Sequence, residues 1–133
     1  MKYVDTDVLV YWALDHPEHG ETATRLLRHI ELNEKGVTSA LSLTLFDGVL
    51  GSLDLPDYDL SKLLDELDRL RNLRVEPLTE KVVARATAVR RELKVPLDVA
   101  VGIVVAEDRR ADAVYSNNAA YDKGPLPRRF AQI

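Results

Sequence analysis

Cysteine is absent from the 133 residues, so disulfides, thiolate ligands and a cysteine nucleophile are all excluded. Long apolar runs are missing as well. The longest, Val99 to Ala106, falls far short of the roughly 20 residues that a membrane-spanning helix needs. Asp5 breaks the apolar stretch near the amino terminus and excludes a secretory h-region. There is no excess of positive charge: the net charge is −4, so the molecule as a whole is no electrostatic sink for polyanions. Repeats, low-complexity tracts and Pro/Gly/Ser linkers are also missing. These absences lead to the expectation of a soluble, cytoplasmic protein with no membrane association, folded as one domain over residues 1–133.

Hydrophobic residues make up 46% of the chain and charged residues 30%, a composition that supports one buried core. Charge is uneven: residues 1–66 carry 5 basic against 13 acidic side chains, and residues 67–133 carry 13 against 9. Lys2–Asp5 reads as a short buried strand that ends in the turn Asp5-Thr6-Asp7, and Val8–Leu14 as a short helix stopped at His16-Pro17. Ala23, Leu26, Leu27 and Ile30 give a helix over Glu18–Glu34. Val37-Thr38 follows as a strand, and Ser39 caps a helix running to about Leu53, broken at Leu55-Pro56-Asp57. Leucines 60, 63, 64, 67 and 70 mark the next helix. Val75–Leu78 is a strand, and Thr79 opens a helix with Val82, Val83, Ala86, Val89 and Leu93 inward. Leu97–Arg110 suits a helix or a buried strand equally. Ala113–Ser116 is a strand, and the tail beyond Asp122 is loop-like. Strands alternating with helices predict an α/β fold, a short parallel sheet flanked by helices in three layers.

Ligand sites in such folds form at the carboxyl ends of the strands. Asp5 holds that position after the first strand, although Asp5 or Asp7 would equally serve as a helix cap. Asp47 shares a helix face with Leu43 and Leu50, where a carboxylate would be partly desolvated and in need of a cation or hydrogen-bond donors. Asp98 opens the apolar segment, a place the helix dipole also favours for an acid. Ser116-Asn117-Asn118 and Tyr121-Asp122 form a polar turn after the last strand. Carboxylates gathered at one rim repel one another, and a hard divalent cation relieves that repulsion; oxygen-only donors point to Mg²⁺ or Mn²⁺. His16 and His19, beside Pro17, read as solvated, and no zinc site is evident.

In this order the motifs resemble the PIN domain over nearly the whole chain. Val4-Asp5-Thr6-Asp7-Val8-Leu9 is similar to that family's opening strand and Asp-Thr-Asn/Asp turn. Val37 to Leu43 leads on to Asp47, where the family usually has Glu. Pro96-Leu97-Asp98-Val99-Ala100-Val101-Gly102-Ile103 resembles the third motif. Ser116-Asn117-Asn118 with Tyr121-Asp122 resembles the terminal Thr/Ser-x-Asp and Phe-Asp stretch. The resemblance implies a Mg²⁺- or Mn²⁺-dependent ribonuclease, similar to VapC-like toxins, with Asp5, Asp47 and Asp98 as metal-binding catalytic acids. Asp122 would supply the charge that Asn118, standing where a fourth Asp is usual, lacks. Ser116 and Asn118 would position the substrate, and Arg109, Arg110, Arg128 and Arg129 are candidate guides for an RNA backbone. The same resemblance implies a homodimer and a small antitoxin protein as partner, with Trp12 a candidate either for the interface or for the core.

Two other readings remain at this point. Asp5-Thr6-Asp7-Val8-Leu9 also resembles the opening of HAD-like phosphatases, in which Asp5 would be the nucleophile and Asp7 the acid/base, though no lysine motif followed by paired acids accompanies it. Alternatively, Asp47 and Asn118 mark a degenerate PIN domain kept only as a binding module.

Overall fold

The computed structural model describes residues 1–53 and 60–131; the helix break expected at Leu55-Pro56-Asp57 lies outside them. Strand β1 (Lys2–Val4) is followed by α1 (Thr6–Leu14) and α2 (Gly20–Asn33), then β2 (Gly36–Ser39) and α3 (Ala40–Gly51). Next come α4 (Leu60–Asp68), β3 (Leu73–Glu76), α5 (Glu80–Leu93), α6 (Leu97–Asp108), β4 (Ala113–Tyr115), a 3₁₀ turn (Ala119–Lys123) and β5 (Arg128–Arg129). The five strands form one wholly parallel sheet in the order β3-β2-β1-β4-β5.

Side chains alternate across a strand, and here the alternation divides the core into two layers. Tyr3 of β1 and Val114 of β4 enter one cluster with α5 and α6. Val4 and Tyr115, their immediate neighbours, enter the other with α1, α2 and α4. Helix α3 serves both layers: Leu41 packs on the first cluster, Phe46 and Leu50 on the second. The segment whose pattern suited helix or strand is the helix α6. It is buried from Val99 to Ala106 because it lies between the sheet and α5, so no polar face survives to show a helical period.

Two expected caps are present. Ser39 Oγ accepts from the Ser42 N–H and Thr79 Oγ1 from the Val82 N–H, satisfying donors that a helix leaves free at its start. Three local expectations need correction. The tail is not all loop: β5 adds to the sheet edge, tied by Val114 N–H to Pro127 O and Ser116 N–H to Arg129 O. Val83 faces solvent, whereas Ala86 is buried and Val82, Val89 and Leu93 pack inward. His16 and His19 are half-buried rather than solvated, stacked on each other and against Tyr11, with Phe130 beyond. Trp12 is half-buried and packs against the second cluster. Among the described residues, no helix is long and apolar enough to cross a membrane.

Candidate active site

The chain leaves β1 toward β2 and β3 on one side, then returns through α5 and α6 to place β4 and β5 on the other. The switch therefore falls between β1 and β4, and the crevice beyond their carboxyl ends is where open parallel sheets bind ligands. Asp5 follows β1 at this point and Ser116 follows β4. The two ends are joined by the Asp5 N–H, which donates to Tyr115 O at 3.0 Å.

Asp5 is only 5% exposed. Its Oδ2 accepts from Ser116 Oγ at 2.7 Å and its Oδ1 from the Tyr121 hydroxyl at 3.0 Å. Burial pushes the Asp5 carboxyl up from its ordinary value against these hydrogen bonds, and the charge of Asp98 adds to the rise. Asp98 projects from the first turn of α6, half-buried. Asp7, in the first turn of α1, is pushed up to about 7 by burial and by the charge of Asp5. Its Oδ2 accepts from the Asn117 N–H at 2.8 Å and lies 3.4 Å from Ser116 Oγ. Its Oδ1 is buried and meets no hydrogen-bond partner among the described residues. The Tyr3 phenol, below the site, is pushed up to about 12 by burial and the Asp5 charge, and donates to Ser39 Oγ.

At the switch point, Asp5 thus feels the charge of Asp98 and in turn acts on Asp7. Asp47 does not join them. It is exposed on α3, and that helix presents Leu41 and Ser42 to the sheet and α6, about 120–140° round the axis from Asp47. The partial desolvation expected for it is absent. Asp122 is 56% exposed and engaged by Arg128 through both carboxylate oxygens, at 3.0 and 3.2 Å. Asn118 uses its Oδ1 to cap the 3₁₀ turn, accepting from the Ala120 N–H at 3.0 Å, while its own N–H donates to Ser116 Oγ. Arg109 and Arg110 lie at the far end of α6 from Asp98, and Arg109 is paired with Glu76; Arg128 and Arg129 stand next to the rim on β5.

Tyr121 and Asp7 stand at the site although the sequence placed Tyr121 only in a polar turn and Asp7 only as a helix cap or the acid/base of a phosphatase. The room for Tyr121 comes from Gly102: a Cβ there would sit 2.3 Å from the phenol oxygen. A glycine one helical turn after Asp98 was the available signal, but its partner lies in a different element.

No three His, Asp or Glu side chains among the described residues enclose a cation unaided. The donor set still fits Mg²⁺ or Mn²⁺, since Mg²⁺ keeps several waters and is commonly held by one or two carboxylates. Asp5, with spare lone pairs, and the orphaned Asp7 Oδ1 are oxygen donors of that kind.

A family model for the PIN domain matches residues 2–124. No curated protein matches the chain. Among solved structures, the chain is similar to Mycobacterium tuberculosis VapC20, described as a sarcin-ricin loop cleaving toxin, at 18% identity and TM-score 0.74, covering 92% of this chain and 93% of that one. It is similar to VapBC2 from Rickettsia felis bound to a promoter DNA fragment, at 18% identity and TM-score 0.69, covering 97% and 98%. A toxin–antitoxin complex from Klebsiella pneumoniae matches at 15% identity and TM-score 0.64, covering 90% and 88%. At these identities the likeness establishes the fold.

Proposed function

The chain belongs to the PIN-domain family, and from that premise we propose that it is a Mg²⁺- or Mn²⁺-dependent ribonuclease, the toxin of a VapBC-type pair acting in the cytoplasm. The observation that carries this reading is Asp5: a carboxylate 5% exposed, at the switch point, beside two further acids. Burying a carboxylate against like charge is costly, and a cation offsets that cost while giving the cluster a task.

Asp5 and Asp98 would hold the ion. A bound Mg²⁺ or Mn²⁺ supplies positive charge to a phosphate oxygen and lowers the pKa of an attacking water. Ser116 and Tyr121 fix both oxygens of Asp5 by donating to them, so the carboxylate keeps one orientation. Asp98, half-buried at the start of a rigid helix, orients the water. Asn118, through its cap and its N–H to Ser116, holds the loop on which the substrate phosphate would rest. Asp122 acts through its pair with Arg128, beside the rim, where a cation would guide the RNA backbone. Asp47 has no part in the reaction on this geometry.

The partner proposed for the toxin is a small antitoxin protein, and the assembly a homodimer; the Klebsiella neighbour, a toxin–antitoxin complex, and the Rickettsia neighbour, VapBC2, support the first of these. The test is cleavage of single-stranded RNA by the purified chain with Mg²⁺ or Mn²⁺, with EDTA, and with Asp5→Asn. Cleavage that needs the metal and Asp5 is expected. Cleavage by wild type and Asp5→Asn alike would reject the site. A second reading, a PIN domain kept for binding only, draws on Asp47 facing solvent and Asn118 spending its side chain on a cap. It predicts an antitoxin complex with no cleavage under any metal. The phosphatase reading loses its basis, since Asp5-Thr6-Asp7 falls inside the PIN match.

A further inference from the structure

We infer that Asp7 is a metal ligand of this chain, taking the place that an acid on α3 would otherwise fill. The inference rests on the ribonuclease reading above and concerns which side chains complete its cation site.

Asp7 opens α1, and an acid in a first turn is often explained by the helix dipole alone. That explanation covers one oxygen. Oδ2 accepts from the Asn117 N–H at 2.8 Å and neighbours the Ser116 hydroxyl. Oδ1 has no such partner, yet it is buried. A buried acceptor left unsatisfied is costly, and more so when the group is charged, so Oδ1, which shares the Asp5-Thr6-Asp7 turn with a second unpartnered buried oxygen, Thr6 Oγ1, calls for a partner. Ser116 Oγ touches both Asp5 Oδ2 and Asp7 Oδ2, which places the two carboxylates on the same hydroxyl beyond the carboxyl ends of β1 and β4. A lysine or arginine would satisfy Oδ1, but none makes an ion pair with Asp5, Asp7 or Asp98 among the described residues.

Helix α3 offers no competing donor on the relevant side. Leu41 packs into the α6 layer and Ser42 bonds Tyr3. The residue one turn after Leu41, on the same face, is Leu45. Asp47 points away. The metal site of this chain is then built from the β1–α1 turn, through Asp5 and Asp7, and from Asp98 on α6. Two carboxylates two residues apart, with waters completing the shell, suit the small, hard, water-retaining ions already named.

Mn²⁺ binding to the purified chain at pH 8, followed by calorimetry or by the loss of the free-ion electron paramagnetic signal, tests this without reference to cleavage. Asp7→Asn keeps the size and one acceptor oxygen, and Asp7→Ser serves as a second variant should the amide disturb the turn. Urea unfolding without metal verifies that each variant folds. The expected result is at least about tenfold weaker Mn²⁺ binding for Asp7→Asn and Asp7→Ser, with Asp47→Asn within about twofold of wild type. If both Asp7 variants bind Mn²⁺ like wild type while Asp5→Asn and Asp98→Asn lose it, Asp7 is no ligand and the ribonuclease reading stands. If the wild type itself fails to bind Mn²⁺, the inference and that reading fall together.

Discussion

Replacing Gly102 with alanine probes the contact between α6 and the site more sharply than any change to the acids. The new Cβ would lie 2.3 Å from the Tyr121 oxygen, 3.0 Å from Tyr3 Cε1 and 3.1 Å from Tyr121 Cζ. The first distance is more than about 1 Å inside ordinary contact. Tyr121 cannot swing aside freely, because it is 1% exposed and its hydroxyl is held on Asp5 Oδ1 at 3.0 Å. Overpacking of this kind costs about 1–3 kcal/mol. Displacing the phenol also weakens a hydrogen bond to a charged group, worth about 1.5–3 kcal/mol. Alanine returns up to about 1 kcal/mol through its better helix propensity. The net expectation is a loss on the order of 2–3 kcal/mol. Tyr121→Phe removes the oxygen that clashes, leaving ring carbons that need to give only a few tenths of an ångström. In that background Gly102→Ala should cost less than about 1 kcal/mol, a coupling on the order of 1–2 kcal/mol in a double-mutant cycle. Urea unfolding of the four proteins, compared at constant slope, measures it. An equal penalty for Gly102→Ala in both backgrounds, or none in the wild type, would refute the argument.

Asp7→Asn should stabilise the metal-free protein at high pH. The folded carboxyl sits at about 7 against an ordinary 3.8, so the folded chain binds this proton more tightly than the unfolded one. Stability is then full below about pH 4 and falls as pH rises through about 7, by up to about 3–4 kcal/mol. An amide left without a partner at the Oδ1 position offsets about 1–3 kcal/mol of that, so the variant's relative stability should rise between about pH 4 and pH 7 and level off above; parallel stability curves would contradict it. Asp5→Asn and Asp98→Asn should each abolish RNA cleavage with metal-free stability equal to or above that of wild type, measured by cleavage and urea unfolding on the same preparations. Loss of stability with cleavage retained would make them caps. Ser39→Ala should cost about 1–2 kcal/mol, since it removes the α3 cap and an acceptor for Tyr3; a loss below about 0.5 kcal/mol in urea unfolding would show that neither bond matters.

Much of the architecture was legible because local chemistry agreed with the global fold. Ser39 and Thr79 announced their helices by capping residues that the structure uses, and Asp5 followed a strand whose burial was plain from Tyr3 and Val4. Illegible features were those that depend on partners distant in sequence. Helix α6 lost its period because both sides are buried. Strand β5 is two arginines held by backbone bonds to β4, with no alternation to read. Asp47 looked desolvated because Leu43 and Leu50 share its face nominally, yet only Leu50 is fully buried and the carboxylate reaches water. The Tyr121–Asp5 bond spans most of the chain, and the glycine that admits it belongs to a third element.

Whether a cation held by Asp5 and Asp98 drives hydrolysis is decided by following Mn²⁺ occupancy and RNA cleavage rate in one titration of the purified protein. The two should rise together from zero, and Asp5→Asn should remove both. Full Mn²⁺ occupancy with no cleavage of any single-stranded RNA, or cleavage that persists in EDTA, would contradict that expectation.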